Sequence, residues 1–137
     1  MRLGGIFAVL FFLPSLTYGY LGEKVQGPPA INSTGAFSVR ETRTDANIIR
    51  EFISAKGIVF GIRWEGLRHP SLEEALGSYF ENYDQAAKRN PVKFGARHHE
   101  VETPEIVVKK WGHPRRLQGM AYAPKLLPQG VSANEIR

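Results

Sequence analysis

The chain is predicted to fold as an α+β domain: an antiparallel sheet of five or six strands, in β-β-β-α-β-β-β order, with one amphipathic helix packed on one face. Three observations carry this expectation. Side chains alternate with a period of two over residues 37–44, 48–53 and 58–65. A stripe of Leu72, Leu76, Tyr79, Phe80, Tyr83 and Ala87 then follows helical spacing. After Asn90-Pro91 the period of two returns and persists to residue 123.

Each element has a local cause. In the first strand Phe37, Val39 and Glu41 alternate with Ser38, Arg40 and Thr42, and Thr44-Asp45-Ala46-Asn47 supplies a turn. The next two strands flank Ser54-Ala55-Lys56-Gly57, whose closing glycine suits a hairpin. In the second arm Ile58, Phe60, Ile62 and Trp64 occupy one set of alternate positions, so they are expected on one core face, with Trp64 as a packing residue. Ser71 can cap the free amides of a helix start, Glu74 sits where a capping box needs it, and Glu73 and Glu74 suit the positive end of the helix dipole. The result is one continuous helix of about five turns, stopped by Asn90-Pro91. Residues 92–102 give one or two short strands and residues 105–111 a stronger one. Gly112-His113-Pro114 then turns the chain into residues 115–123. Leu126 and Leu127, between prolines, are expected to tuck under the sheet as an irregular segment, and the Ser132 to Glu135 cap pattern leaves room for one helical turn.

Domain organisation follows from the ends. Residues 1–19 carry the parts of a secretory signal peptide: Arg2, an uncharged apolar run over residues 3–13, Pro14, and the small residues Thr17 and Gly19 ahead of a cleavage site. The run is too short to span a bilayer as a helix, and no later segment is apolar enough to do so. Residues 20–36, rich in Gly and Pro, are expected to be a flexible lead-in, and residues 37–137 a single domain. Asn32-Ser33-Thr34 matches a glycosylation sequon, which has meaning only in a eukaryotic secretory pathway. The chain is thus expected to be exported after cleavage near Gly19. With 42% hydrophobic and 23% charged residues its composition is that of a globular domain.

The same composition narrows the chemistry. There is no cysteine, so thiol nucleophiles, disulfides, iron–sulfur clusters and thiolate zinc sites are excluded. No Gly-x-Ser-x-Gly turn, phosphate loop, dinucleotide fingerprint or aromatic-basic RNA motif occurs. His98 and His99, neighbours in a strand, point to opposite faces and cannot chelate one metal together, whereas His98 and Glu100 share a face. Neither these nor the carboxylate pairs Glu65 with Glu81 and Glu100 with Glu102 make a catalytic or metal constellation, so no catalytic residue, metal or cofactor is assigned.

Charge is unevenly spread: acids outnumber bases nine to seven over residues 20–87, whereas residues 88–137 hold ten bases against four acids. Such a basic half can meet an anionic envelope component. The expected contact surface is the second hairpin, with Lys109, Lys110, Trp111, Arg115 and Arg116. The leading expectation is therefore a non-enzymatic binding or interaction module of the cell envelope, its partner an anionic envelope component or another periplasmic protein. The alternative is a small envelope hydrolase or metal-dependent enzyme using His69, His98 or His113 with a nearby glutamate.

Several segments together resemble a bacterial family known as domain of unknown function 2844. They are Leu21-Gly22, Ile49-Arg50-Glu51-Phe52-Ile53-Ser54, Gly57-Ile58-Val59-Phe60, Trp64-Glu65-Gly66, Pro70-Ser71-Leu72, Leu76-Gly77-Ser78-Tyr79-Phe80, Ala121-Tyr122-Ala123-Pro124 and Leu126-Leu127-Pro128. Leu67 departs from the pattern, in which a proline follows the Trp-x-Gly. The resemblance implies a small exported protein of Gram-negative bacteria, hence periplasmic, and brings with it no activity, cofactor or catalytic residue.

Overall fold

Alternation and turns produce a sheet in which every neighbouring pair is antiparallel, as seen in a computed structural model that describes residues 19–25 and 32–137. Its strands are β1 (Asn32–Thr34), β2 (Phe37–Arg43), β3 (Asn47–Ser54), β4 (Val59–Gly66), β5 (His98–Glu102), β6 (Val107–His113) and β7 (Arg116–Tyr122). They lie in the order β1-β2-β3-β4-β7-β6-β5, so the first four and the last three form two meanders joined where β7 pairs with β4. The helical segment between β4 and β5 carries the chain across one face. The expected α+β class and strand–helix order are present, with one added element: the three-residue β1 brings the sheet to seven strands.

Three further expectations need correction. The helix is not continuous. It runs as α1 (Leu72–Leu76), a 3-10 turn (Gly77–Tyr79) and α2 (Phe80–Arg89). Gly77 has φ 54, a conformation that ends a regular helix, and a Cβ there would stand 2.7 Å from the Tyr20 ring. Ser71 does cap the start, accepting from the Glu74 amide, and the helical segment closes at Asn90. Second, Phe60 does not share a face with Ile62 and Trp64. Phe52 pairs with Gly61 and Ile53 with Val59, which leaves Phe60 as the extra residue of a β-bulge. Val59, Ile62 and Trp64 therefore face the helix, while Phe60 joins Phe52 and Ile136 on the opposite face. Third, β6 continues through His113, so the second hairpin turns on Pro114 and Arg115, the latter at φ 66.

Both faces of the sheet are consequently covered. Ile49, Ile62, Trp64, Val101, Val108 and Ala121 pack beneath Leu76 and Tyr83 of the helical segment. On the far side Phe37, Phe52 and Phe60 form an aromatic cluster with centroids 5.8–6.3 Å apart. The C-terminal residues Leu126, Leu127, Val131 and Ile136 close it, as the two leucines between prolines suggested.

The segment expected to be a flexible lead-in contains ordered structure. Leu21 is fully buried, its amide donates to the Ala75 carbonyl, the Gly22 amide donates to Val59, and the Val25 amide donates to Gly57. These bonds clip residues 19–25 to the start of β4 and to α1, so the domain's core begins before residue 37. Of the expected signal peptide, residues 1–18 lie outside the described residues, as do residues 26–31 of the lead-in.

Candidate functional site

The strand register decides which basic side chains meet. Val108 of β6 packs toward the helix, so Lys110, two residues on, projects to that same face, and its ammonium lies 5.9 Å from the Tyr83 ring centre. Lys109 and Trp111 point the other way. There Lys109 Nζ is 3.5 Å from Glu100 Oε1, and the Arg63 guanidinium stacks 5.3 Å from the Trp111 ring. Arg115 and Arg116 stand exposed at the turn. The five residues expected to form one contact surface are thus divided between two faces and a turn tip.

Lys110 instead joins residues that no hairpin reading would connect. Its register partner in β5 is His99, and the loop between β4 and α1 brings His69 alongside. Together with Arg97, His98, Leu117 and Trp111, the second of the five expected contact residues to reach it, they line a cleft of about 250 Å³. His69 is fixed from behind: Trp64 Nε1 donates to its Nδ1 at 2.9 Å, and the two rings meet edge to face. This bond leaves the proton of the neutral ring on Nε2. His99 Nε2 is 2.8 Å from the Asn90 carbonyl oxygen, which can only accept, so this nitrogen carries a proton.

The electrostatics of the cleft are one-signed. No carboxylate and no hydroxyl lines it, and among the described residues Lys110 and Arg97 have no acidic partner. Burial, and secondarily the charge of Lys110, push the His69 pKa below the ordinary histidine value. The cleft therefore sets two cations without acidic partners, Arg97 and Lys110, beside the Nε2–H of His69, while His98 faces Glu100 and the His99 Nε2 proton is engaged by Asn90, an arrangement suited to holding an anion rather than to acid–base chemistry between a histidine and a glutamate. Two larger hollows, near the C-terminus and beside α2, are different. Glu135 is engaged with the Ser132 amide and Glu105 with Asn82 and Lys125, while the exposed Glu102 places a carboxylate in the hollow beside α2.

The histidines of the hydrolase alternative are dispersed. His98 Nε2 lies 3.6 Å from Glu100 Oε2 on the face opposite His99, and His113 is exposed at the end of β6. Among the described residues, no three acidic or histidine side chains are placed to hold a metal ion. His99 and Arg97 were not singled out as site residues from sequence. The available signal was the pairing of His99 with Lys110 once the hairpin register is set.

Lowering the pH should report on His69 directly. Its folded pKa lies below its unfolded value, so the unfolded chain takes up this proton first, and stability falls as pH drops through and below the ordinary histidine value near 6.5. Urea midpoints measured from pH 7 to pH 5 should decline more steeply for the native chain than for His69→Gln. Parallel declines would mean that His69 is not held neutral.

Among the described residues, no helix is long and apolar enough to cross a membrane. No curated protein and no solved structure matches the chain. A family model described as "Protein of unknown function (DUF2844)" matches residues 20–136, which spans the clip, the sheet and the C-terminal cover. The chain belongs to the DUF2844 family of proteins of unknown function.

Proposed function

We propose that the protein is an exported, periplasmic binding module, not an enzyme, and that its cleft takes an anionic group of a cell-envelope component. The observation that carries this reading is the convergence of two cations without acidic partners, Arg97 and Lys110, with the imidazoles of His69 and His99 on one concavity. The apolar margin supports it. Val92 borders the cleft and is 55% exposed, and Phe94 in the same loop is fully exposed, so an anion attached to an apolar body would find both of its parts matched. The leader pattern of residues 1–19 supports export.

The reading predicts retention on an immobilised sulfated polymer, with strong salt dependence because exposed charge pairs are screened. Replacing Lys110 and Arg97 together by glutamine should weaken binding about tenfold or more, since a hydrogen bond to a charged group contributes about 1.5–3 kcal/mol. Replacing Arg115 and Arg116 by glutamine should change it far less. The opposite ranking would move the site to the turn and reject the cleft.

A further inference from the structure

The clip formed by residues 19–25 holds a second group of charges, away from the cleft. Arg40 in β2 and Glu51 in β3 are register partners on the helix-facing side, and they form a two-bonded ion pair: Nε to Oε2 at 2.6 Å and Nη2 to Oε1 at 3.0 Å. The Glu51 side chain has no solvent exposure. Glu23 joins them, accepting from the Tyr20 backbone nitrogen at 3.0 Å. A Cβ on Gly19 would stand 2.8 Å from Glu23 Oε2, 2.8 Å from Glu51 Oε1 and 3.2 Å from Arg40 Nη2. Arg40 is paired with Glu51, the charge of Glu23 acts on the same guanidinium, one negative charge is left over, and the backbone at position 19 passes directly against all three groups.

That position is where the leader pattern ends. We propose that leader removal between Gly19 and Tyr20 frees the Tyr20 α-amine, which as an ammonium becomes the second cation of the Glu23–Arg40–Glu51 cluster and locks the clip onto the sheet. The inference rests on the reading of residues 1–19 as a cleaved leader. The step is a peptide hydrolysis by a leader peptidase. The Gly19–Tyr20 C–N bond breaks, the hydroxyl of water goes to the Gly19 carbonyl carbon, and its hydrogen goes to the Tyr20 nitrogen. Gly19 is buried in the folded chain, so the cut precedes folding. Afterwards the nitrogen that donates to Glu23 as a neutral amide does so as a cation, and the cluster balances at two positive and two negative charges. A charge-assisted bond is about twice as strong as a neutral one. The charged and titratable groups facing the amine are Glu23 from the clip, Arg40 from β2 and Glu51 from β3. The Tyr20 ring itself turns away onto Gly77.

The test has two stages. The full chain, produced with its own leader in a Gram-negative host, is recovered from the exported fraction, and its intact mass is measured. A first residue of Tyr20 is expected. Confinement of the chain to the cytoplasm with Met1 retained would overturn the export reading itself, whereas an exported product that keeps Met1 or begins elsewhere would leave export standing and overturn the docking. Then the chain beginning at Tyr20 is compared with one carrying Ser-Gly ahead of Tyr20, which keeps the glycine but moves the charge away. At pH 6 the extended chain should melt about 5 °C lower, the order of shift expected for one such interaction in a domain this size. The docked amine has its pKa raised, so its contribution is complete below the ordinary value near 8 and is lost as pH rises through the raised value. The gap should therefore close toward pH 10, and Glu23→Gln should close it at pH 6. No gap at pH 6, or the same gap at both pH values, would overturn the proposal.

Discussion

Replacing Arg40 by alanine is expected to destabilise the fold by about 3–5 kcal/mol, the usual consequence of leaving a buried charge without its partner. The Glu51 side chain is entirely buried on the apolar face of β3, between Ile49 and Ile53, and both of its oxygens are bound by Arg40. The hydrogen bond to Glu51 raises the Arg40 pKa further, and the charges of Glu51 and Glu23 add to it. Truncating Arg40 strands a carboxylate that water cannot reach. The double replacement Arg40→Met with Glu51→Leu should recover most of the loss, because apolar side chains of similar volume need no partner. Denaturant unfolding of the three variants measures this. A loss below about 1 kcal/mol for Arg40→Ala would show that Glu51 finds another partner or becomes hydrated.

The second large effect is expected at Gly119. Replacement by alanine would place a Cβ 2.2 Å from Trp64 Cζ2 and 2.3 Å from Cε2. Trp64 has little freedom to withdraw. It is 1% exposed, packed beneath the helical segment and tied through Nε1 to His69. The overpacking should cost about 3 kcal/mol, at the upper end of the usual range. The displaced indole should also release His69 and so reduce anion binding at the cleft. Trp64→Leu in the same chain should relieve the clash but not restore the His69 contact, so stability and binding separate. Equal stability of native chain and Gly119→Ala would mean that the strand backbone yields more easily than its pairing with β4 and β6 implies.

These two positions also show where sequence patterns succeed. Ser71, Asn90, the Gly57 turn and the alternation of β2 each act through neighbours a few residues away, so they were legible from residue order alone. Glu51 did not stand out in the sequence, and its partner Arg40 follows only from the β2–β3 register. The bulge at Phe60 was not legible, because two successive large apolar residues satisfy either face equally well once both faces are covered. The cover on the second face comes from residues 124–137, distant in sequence. The break at Gly77 likewise depends on Tyr20, about sixty residues away along the chain, whose ring occupies the space a side chain would need.

The residues that line the candidate cleft were only partly legible. The excess of basic residues in the second half of the chain is real, and Lys110 lies in the cleft. Alternation alone separates Lys109 and Trp111 from Lys110, since adjacent strand residues face opposite ways. What no pattern supplied was which face would be hollow. That depends on the loop carrying His69 and on residues 91–97, which the helical segment sets beside β5 and β6.

The most direct measurement of the central claim is an amide and indole NMR titration of the native chain with a short sulfated oligosaccharide, performed at two salt concentrations. Binding in the cleft predicts that the largest shift changes fall on His69, Arg97, His99, Lys110 and the Trp64 indole, and that they shrink together as salt is raised. Changes concentrated at Arg115 and Arg116, or spread evenly over the exposed basic residues, would contradict it.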